Sequence, residues 1–173
     1  MTLTKSKYYF EALDNYPYNL TDCLEALNYA LSYDPEDADS LCLMGRIYSE
    51  ILIDYERSKL YFEEAMQCNI ANLNVPQFYI KCLLDNEDLE EAEKLIEYAM
   101  KIKGIDKCRI LIQQSLLFEI RLDYKKAIEP LKKARTFAYE QNMMIFLKNR
   151  IKFIKGKIPK KPKKKNKMKK ESK

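Results

Sequence analysis

The chain has 173 residues, a length that suits one domain burying roughly 70% of its unfolded surface. It contains no histidine, which excludes Ser-His and Cys-His catalytic pairs, a histidine general base and histidine metal ligands. Three glycines and six prolines are too few for a turn-rich β sandwich or a glycine-rich phosphate loop, so the 47% hydrophobic and 33% charged residues point to a helical globular protein. The net charge of +5 hides an asymmetry. Residues 1–100 carry 7 basic and 20 acidic side chains, residues 101–154 carry 13 and 5, and residues 155–173 carry 11 lysines and one glutamate.

From the N-terminus, Lys5 and Lys7 are followed by Tyr8, Tyr9 and Phe10 and then by acids, a pattern unlike a signal peptide. No apolar stretch approaches the 18 residues of a membrane span. Five cysteines, Cys23, Cys42, Cys68, Cys82 and Cys108, are odd in number and form no CxxC. We expect reduced, mostly buried thiols in a cytoplasmic protein, with no cofactor and no metal.

Four segments then repeat along the chain. They run from Cys23 to Ala30, Ser58 to Ala65, Ala92 to Ala99 and Ala127 to Ala134. Each opens on a small residue, places a large apolar residue four later (Leu27, Phe62, Ile96, Leu131) and closes on Ala three after that. Four plus three is the spacing of one helical face. The closing alanines lie 35, 34 and 35 residues apart. Three segments follow a turn with an acid and an apolar residue: Asp54-Tyr55, Asp88-Leu89 and Asp123-Tyr124. The acid suits a helix entry.

This pattern resembles the tetratricopeptide repeat family over about residues 6–139. Leu41, Met44, Gly45, Tyr48, Ser58, Phe62 and Ala65 match both helices of its motif in the second repeat, and Asp34-Pro35 closes the first repeat as the family does. The resemblance implies an all-α right-handed solenoid of about four helix pairs. The chain departs from the pattern in three places. The first helix, around Tyr8 to Leu13, is short and lacks the Leu-Gly step; Ile80 and Ser115 stand where Gly45 stands; and Pro130 falls inside the fourth second-helix, where it kinks the helix or lies near its start.

No catalytic constellation emerges, and the chain reads as non-enzymatic. Neighbours such as Glu63-Glu64 and Glu90-Glu91 diverge by about 100° on a helix and do not converge on a substrate. The run Asp85-Asn86-Glu87-Asp88 lacks the glycine and closing glutamate of a calcium loop and reads as a turn.

The resemblance implies instead that the first helix of each repeat faces a concave groove. Carried over, the register makes Leu43, Arg46 and Glu50 candidates in repeat two, Phe78, Lys81 and Asp85 in repeat three, and Gln113, Leu116 and Ile120 in repeat four. Asp39, Cys42, Ser49, Asn74, Gln77, Leu84, Arg109, Ile112 and Glu119 share those faces. The mixture of apolar and charged groups suits a protein partner supplying an extended peptide or a helix. The family's carboxylate clamp for chaperone tails is absent, because Tyr8, Ala12 and Leu43 occupy its positions.

Residues 140–154 should form a capping helix whose seam is Met143, Phe146, Leu147 and Phe153, with Met144, Ile145 and Ile151 on another face. That second face is either wrapped by the stack or free for self-association; a membrane surface is a third reading. Residues 155–173 read as a disordered Lys-rich tail. Lys160, Lys161, Lys163, Lys164, Lys165, Lys167, Lys169 and Lys170 form a string of point charges with no aromatic residue and no Arg. Such a string suits weak, sequence-independent binding to polyanions or acidic surfaces, including the acidic front of the chain itself. The functional expectation is a scaffold or adaptor that binds a partner segment in its groove. The alternatives are a nucleic-acid-associated protein acting through the tail and a secretion-chaperone-like repeat protein.

Overall fold

The structure, a computed structural model, describes residues 6–159. Among these residues there are nine α-helices, one 3-10 turn and no strand. The helices are α1 (Lys7–Asn15), α2 (Leu20–Tyr33), α3 (Ala38–Glu50), α4 (Tyr55–Cys68), α5 (Val75–Asp85), α6 (Leu89–Ala99), α7 (Lys107–Ile120), α8 (Tyr124–Ala134) and α9 (Gln141–Lys157). None is long and apolar enough to cross a membrane. Successive helices pack as hairpins, α1 with α2, α3 with α4, α5 with α6 and α7 with α8. The fold is the all-α, tetratricopeptide-like solenoid that the repeat implied.

Three of the four hairpins close on a small pair. Gly45 on α3 meets Ser58 on α4, whose hydroxyl donates to the Gly45 carbonyl at 2.8 Å. Repeat one makes the same contact with Ala12 and Cys23, the thiol donating to the Ala12 carbonyl at 3.2 Å. Repeat four reverses the direction: Ser115 on α7 donates to the Ala127 carbonyl on α8 at 2.7 Å. In repeat three Ile80 and Ala92 hold these positions; neither side chain can donate a hydrogen bond, and both are fully buried. A short side chain lets two backbones approach, and a hydroxyl or thiol there takes a second hydrogen bond to a buried carbonyl. The closing alanines Ala30, Ala65, Ala99 and Ala134 and the large residues Leu27, Phe62, Ile96 and Leu131 are all essentially inaccessible.

The turns inside repeats two, three and four share one conformation. Ile53, Glu87 and Leu122 all have positive φ, near 54°, 59° and 60°. Each is followed by the aspartate expected to open the next helix. Asp54 and Asp123 do cap, accepting from the amides of Arg57 and Lys126 at 3.1 Å. Asp88 begins α6 without a side-chain cap. It accepts instead from Lys59 at 3.1 Å and Asn86 at 2.8 Å. Hydrogen bonds from both neighbours hold its carboxyl below the usual carboxylate range. Pro130 lies inside α8, buried, and does not end it.

Odd-numbered helices pack on one another, α1 on α3, α3 on α5 and α5 on α7, whereas consecutive even-numbered helices are spread apart. The row therefore curves with the first helix of each repeat on its concave side.

Helix α9 closes the stack against α8, with a different seam from the one expected. Leu147 and Ile154 are fully buried, with Met143, Ile151 and Ile158 packed beside them. Phe146 and Phe153 are about half exposed instead. An electrostatic contact accompanies this rotation. Buried Glu119 on α7 accepts from Arg150 and, at 2.6 Å, from Lys157. The helix continues through Gly156 to Lys157, and the chain leaves it at Ile158-Pro159. Lys160 and the lysines beyond it lie outside the described residues.

Candidate functional site

The candidate site on the concave face starts at Arg46. Its guanidinium lies between two rings, 4.5 Å from the Tyr16 centroid and 4.2 Å from the Phe78 centroid. These rings come from the end of α1 and the middle of α5, so one side chain joins three elements. One turn along α3, Glu50 accepts from the Tyr16 hydroxyl and lies 3.6 Å from Arg46 and 3.8 Å from Lys81. Lys81 in turn donates to Asp85 at 2.8 Å. Burial and the bond to Glu50 push the Tyr16 phenol up to about 12. The charges alternate along the network, which keeps its local potential near balance.

Beside this ladder is a depression of about 220 Å³ lined by Tyr9, Leu13, Cys42, Leu43 and Phe78, with Asp39, Arg46 and Asn74 also contributing. The structure thus brings six of the nine candidates, Leu43, Arg46, Glu50, Phe78, Lys81 and Asp85, into one region. Leu43 is part of its buried floor, at 2% exposure. The other three behave differently. Gln113 donates to the Gln77 carbonyl at 2.6 Å, and Leu116 and Ile120 pack against the central core. Glu119, placed on the groove face by register, is drawn under α9 as described above.

Sequence reasoning missed Tyr16, because it lies past the end of α1 and carries no repeat signature. A larger depression, about 810 Å³, also went unread at the N-terminal edge. There Tyr8 stacks on Tyr29 and Tyr33, with centroids 5.3 and 5.7 Å away, near Asp34, Glu36 and Asp37. The i, i+4 spacing of Tyr29 and Tyr33 was a visible signal for that cluster.

All five cysteines are free thiols, four buried and Cys68 exposed. Partial desolvation and the carboxylates of Glu36, Glu64 and Asp34 raise the Cys68 thiol above its ordinary value, which disfavours the nucleophilic thiolate. Glu63, Glu64, Glu90 and Glu91 are exposed on helix faces, and Glu63 accepts from Tyr79 at 3.0 Å. Among the described residues no group of three metal-ligating side chains converges.

The curved helix-pair stack and its concave face define a helical-repeat protein. No protein-family model and no curated protein matches the sequence. Solved structures do match. One is PilF of Pseudomonas aeruginosa, at 17% identity and TM-score 0.72, over 87% of this chain and 71% of that one. Another is the MamA RS-1 ArsTM double mutant, at 17% identity and TM-score 0.65, over 88% and 86% of the two chains. Both are tetratricopeptide-repeat proteins, and this chain shares their fold.

Proposed function

We propose that this protein is a non-enzymatic scaffold that holds a segment of a partner protein against its concave face. The observation that carries the reading is the small depression lined by Leu43 and Phe78 together with polar Asp39 and Asn74, set beside the Arg46–Glu50–Lys81–Asp85 ladder. Mixed lining and alternating charge together suit an amphipathic or extended segment, whose side chains fill the depression while its polar groups exchange with the ladder. The half-exposed Lys81 and exposed Asp85 are the groups free to do so without unfolding anything.

The tail carries a second, separable contact. Eight lysines between Lys160 and Lys170 supply charge without a stacking ring or a guanidinium fork, a composition that supports sequence-independent phosphate contact. Six lysines engaged on duplex DNA would give a slope of log K against log salt near −5 by the counterion-release relation.

Affinity capture separates the two. Three baits are compared: full-length protein, a truncation after Pro159, and full-length Phe78→Ala/Lys81→Glu. The groove reading expects a set of proteins lost with the groove variant and kept by the truncation. A groove variant that captures the same proteins as wild type would refute it. Duplex DNA binding that survives the truncation would refute the tail reading.

A further inference from the structure

The last repeat and its cap carry a charge that the concave-face reading leaves unused. Between Lys101 and Lys157 fifteen basic residues stand against five acids. Four of those acids already pair with a cation, and Glu119 pairs with two. The excess therefore falls on lysines that have no carboxylate to meet, and on α9 three of them line up.

Helix α9 carries five basic residues and no acid. Arg150 and Lys157 turn to Glu119 on α7. At about 100° per residue, Lys148, Lys152 and Lys155 share an arc of about 60°, half a turn round from that pair and so away from the concave row. All three are exposed, and among the described residues none of them pairs with a carboxylate. Like charges at i, i+4 and i, i+3 repel and weaken the helix that carries them. The helix dipole favours a cation in the last turn, which accounts for Lys155 but not for Lys148 or Lys152. The stripe also lacks the apolar face of a membrane-surface helix. Phe146 and Phe153 lie about 140° round from it, and of the exposed apolar residues of α9 only Ile145 adjoins it. It leads into the tail, whose first lysine, Lys160, stands three residues past the end of the helix.

We infer that this stripe is a folded phosphate-contact surface: Lys148, Lys152 and Lys155 engage the backbone of a nucleic-acid duplex whose neighbouring phosphates are held by the tail. Point charges on one helix flank, with no ring and no guanidinium among them, neutralise phosphates without reading bases. The inference takes its ligand from the tail reading, on which it rests, and assigns to the folded body a share of the contact that the tail reading does not give it. The groove proposal is independent of it, because the stripe faces away from the concave row.

Salt titration of the binding of an unrelated duplex DNA to full-length protein tests it. Wild type is compared with the stripe variant Lys148→Gln/Lys152→Gln/Lys155→Gln and with a control, Lys7→Gln/Arg57→Gln/Lys94→Gln, which removes the same charge from exposed positions in the first three repeats. Gln keeps the helix propensity of Lys, and unchanged melting confirms that each variant folds. Each phosphate contact adds about 0.9 to the slope of log K against log salt. The stripe variant is therefore expected to flatten the slope by about 2.7, and the control to keep the slope of wild type. A stripe variant with the wild-type slope overturns the inference and leaves the tail reading standing. A control that flattens the slope as much reports net charge rather than contact, and overturns it too. A stripe variant that keeps the duplex slope but no longer binds vesicles of phosphatidylserine and phosphatidylcholine gives the stripe to a membrane surface instead. Truncation after Pro159 tests the tail reading separately, because three contacts alone hold a duplex too weakly to persist at physiological salt. A wild type that does not bind the duplex overturns both.

Discussion

Gly45 on α3 lies directly beneath the ring of Phe62 on α4: a Cβ at position 45 would sit 2.9 Å from Cε1 and 3.0 Å from Cδ1. The ring cannot withdraw easily. Phe62 is fully buried and stacks on Tyr79 with centroids 5.4 Å apart. In an open helix Gly→Ala gains about 1 kcal/mol. Here overpacking of about 1–3 kcal/mol opposes that gain. Gly45→Ala is therefore expected to destabilise on balance, whereas Gly156→Ala, where a Cβ meets nothing within 4 Å, is expected to stabilise. Urea denaturation of the two variants checks the difference in sign.

Ala99 closes the third repeat with no exposed surface. Ala99→Leu adds three carbons to a packed helix contact and is expected to cost about 1–3 kcal/mol. Exposed Glu97→Gln should stay within about 0.5 kcal/mol. Equal melting temperatures would show that the alanine face is not the contact face.

Ile53 holds a positive φ with a β-branched side chain that is 58% exposed. The left-handed conformation costs an ordinary L-residue about 1–2 kcal/mol, and Asn tolerates it better. Ile53→Asn should raise the melting temperature, with a gain of up to about 1 kcal/mol. The same exchange at Leu122, also left-handed and 70% exposed, should act in the same direction. A loss of stability at both sites would show that these apolar side chains contribute more by contact than their backbone costs.

Glu119 is buried with Arg150 and Lys157 as its cationic partners. Removing both partners strands a carboxylate, and Arg150→Ala/Lys157→Ala is expected to cost about 1–3 kcal/mol. Adding Glu119→Gln to that background should recover part of the loss. No recovery would mean that the two long side chains act through packing alone.

The Tyr16 phenol is pushed up to about 12 by burial and by its bond to Glu50. Its neutral form is favoured in the folded chain, so its contribution to stability is complete below the ordinary value of 10 and is lost as pH rises from there toward 12. Burial raises Tyr9 and Tyr79 as well, and they reinforce the trend. Stability should therefore fall on the alkaline side, and Tyr16→Phe should make that fall shallower. Denaturant midpoints taken from neutrality to about pH 11 measure the slope. An unchanged slope would remove Tyr16 from the cause.

The repeat was legible in the sequence because its signal is local and periodic. A small residue, a large one and an alanine must recur on one helix face wherever two helices approach closely, so Cys23, Ser58, Ala92 and Ala127 could be aligned with their partners still unknown. The family resemblance carried a register onto the first helices, and the structure brings Arg46, Glu50, Phe78, Lys81 and Asp85 into one region. Contacts between side chains that no period connects could not be read this way. Tyr16 reaches Glu50 across 34 residues, and Lys157 reaches Glu119 across 38. Beside that second bond α9 buries Leu147 and Ile154 and leaves Phe146 and Phe153 about half exposed. Hydrophobicity alone cannot choose which apolar face of such a helix turns inward. A buried carboxylate that requires a cation can, and only the tertiary structure places the two together.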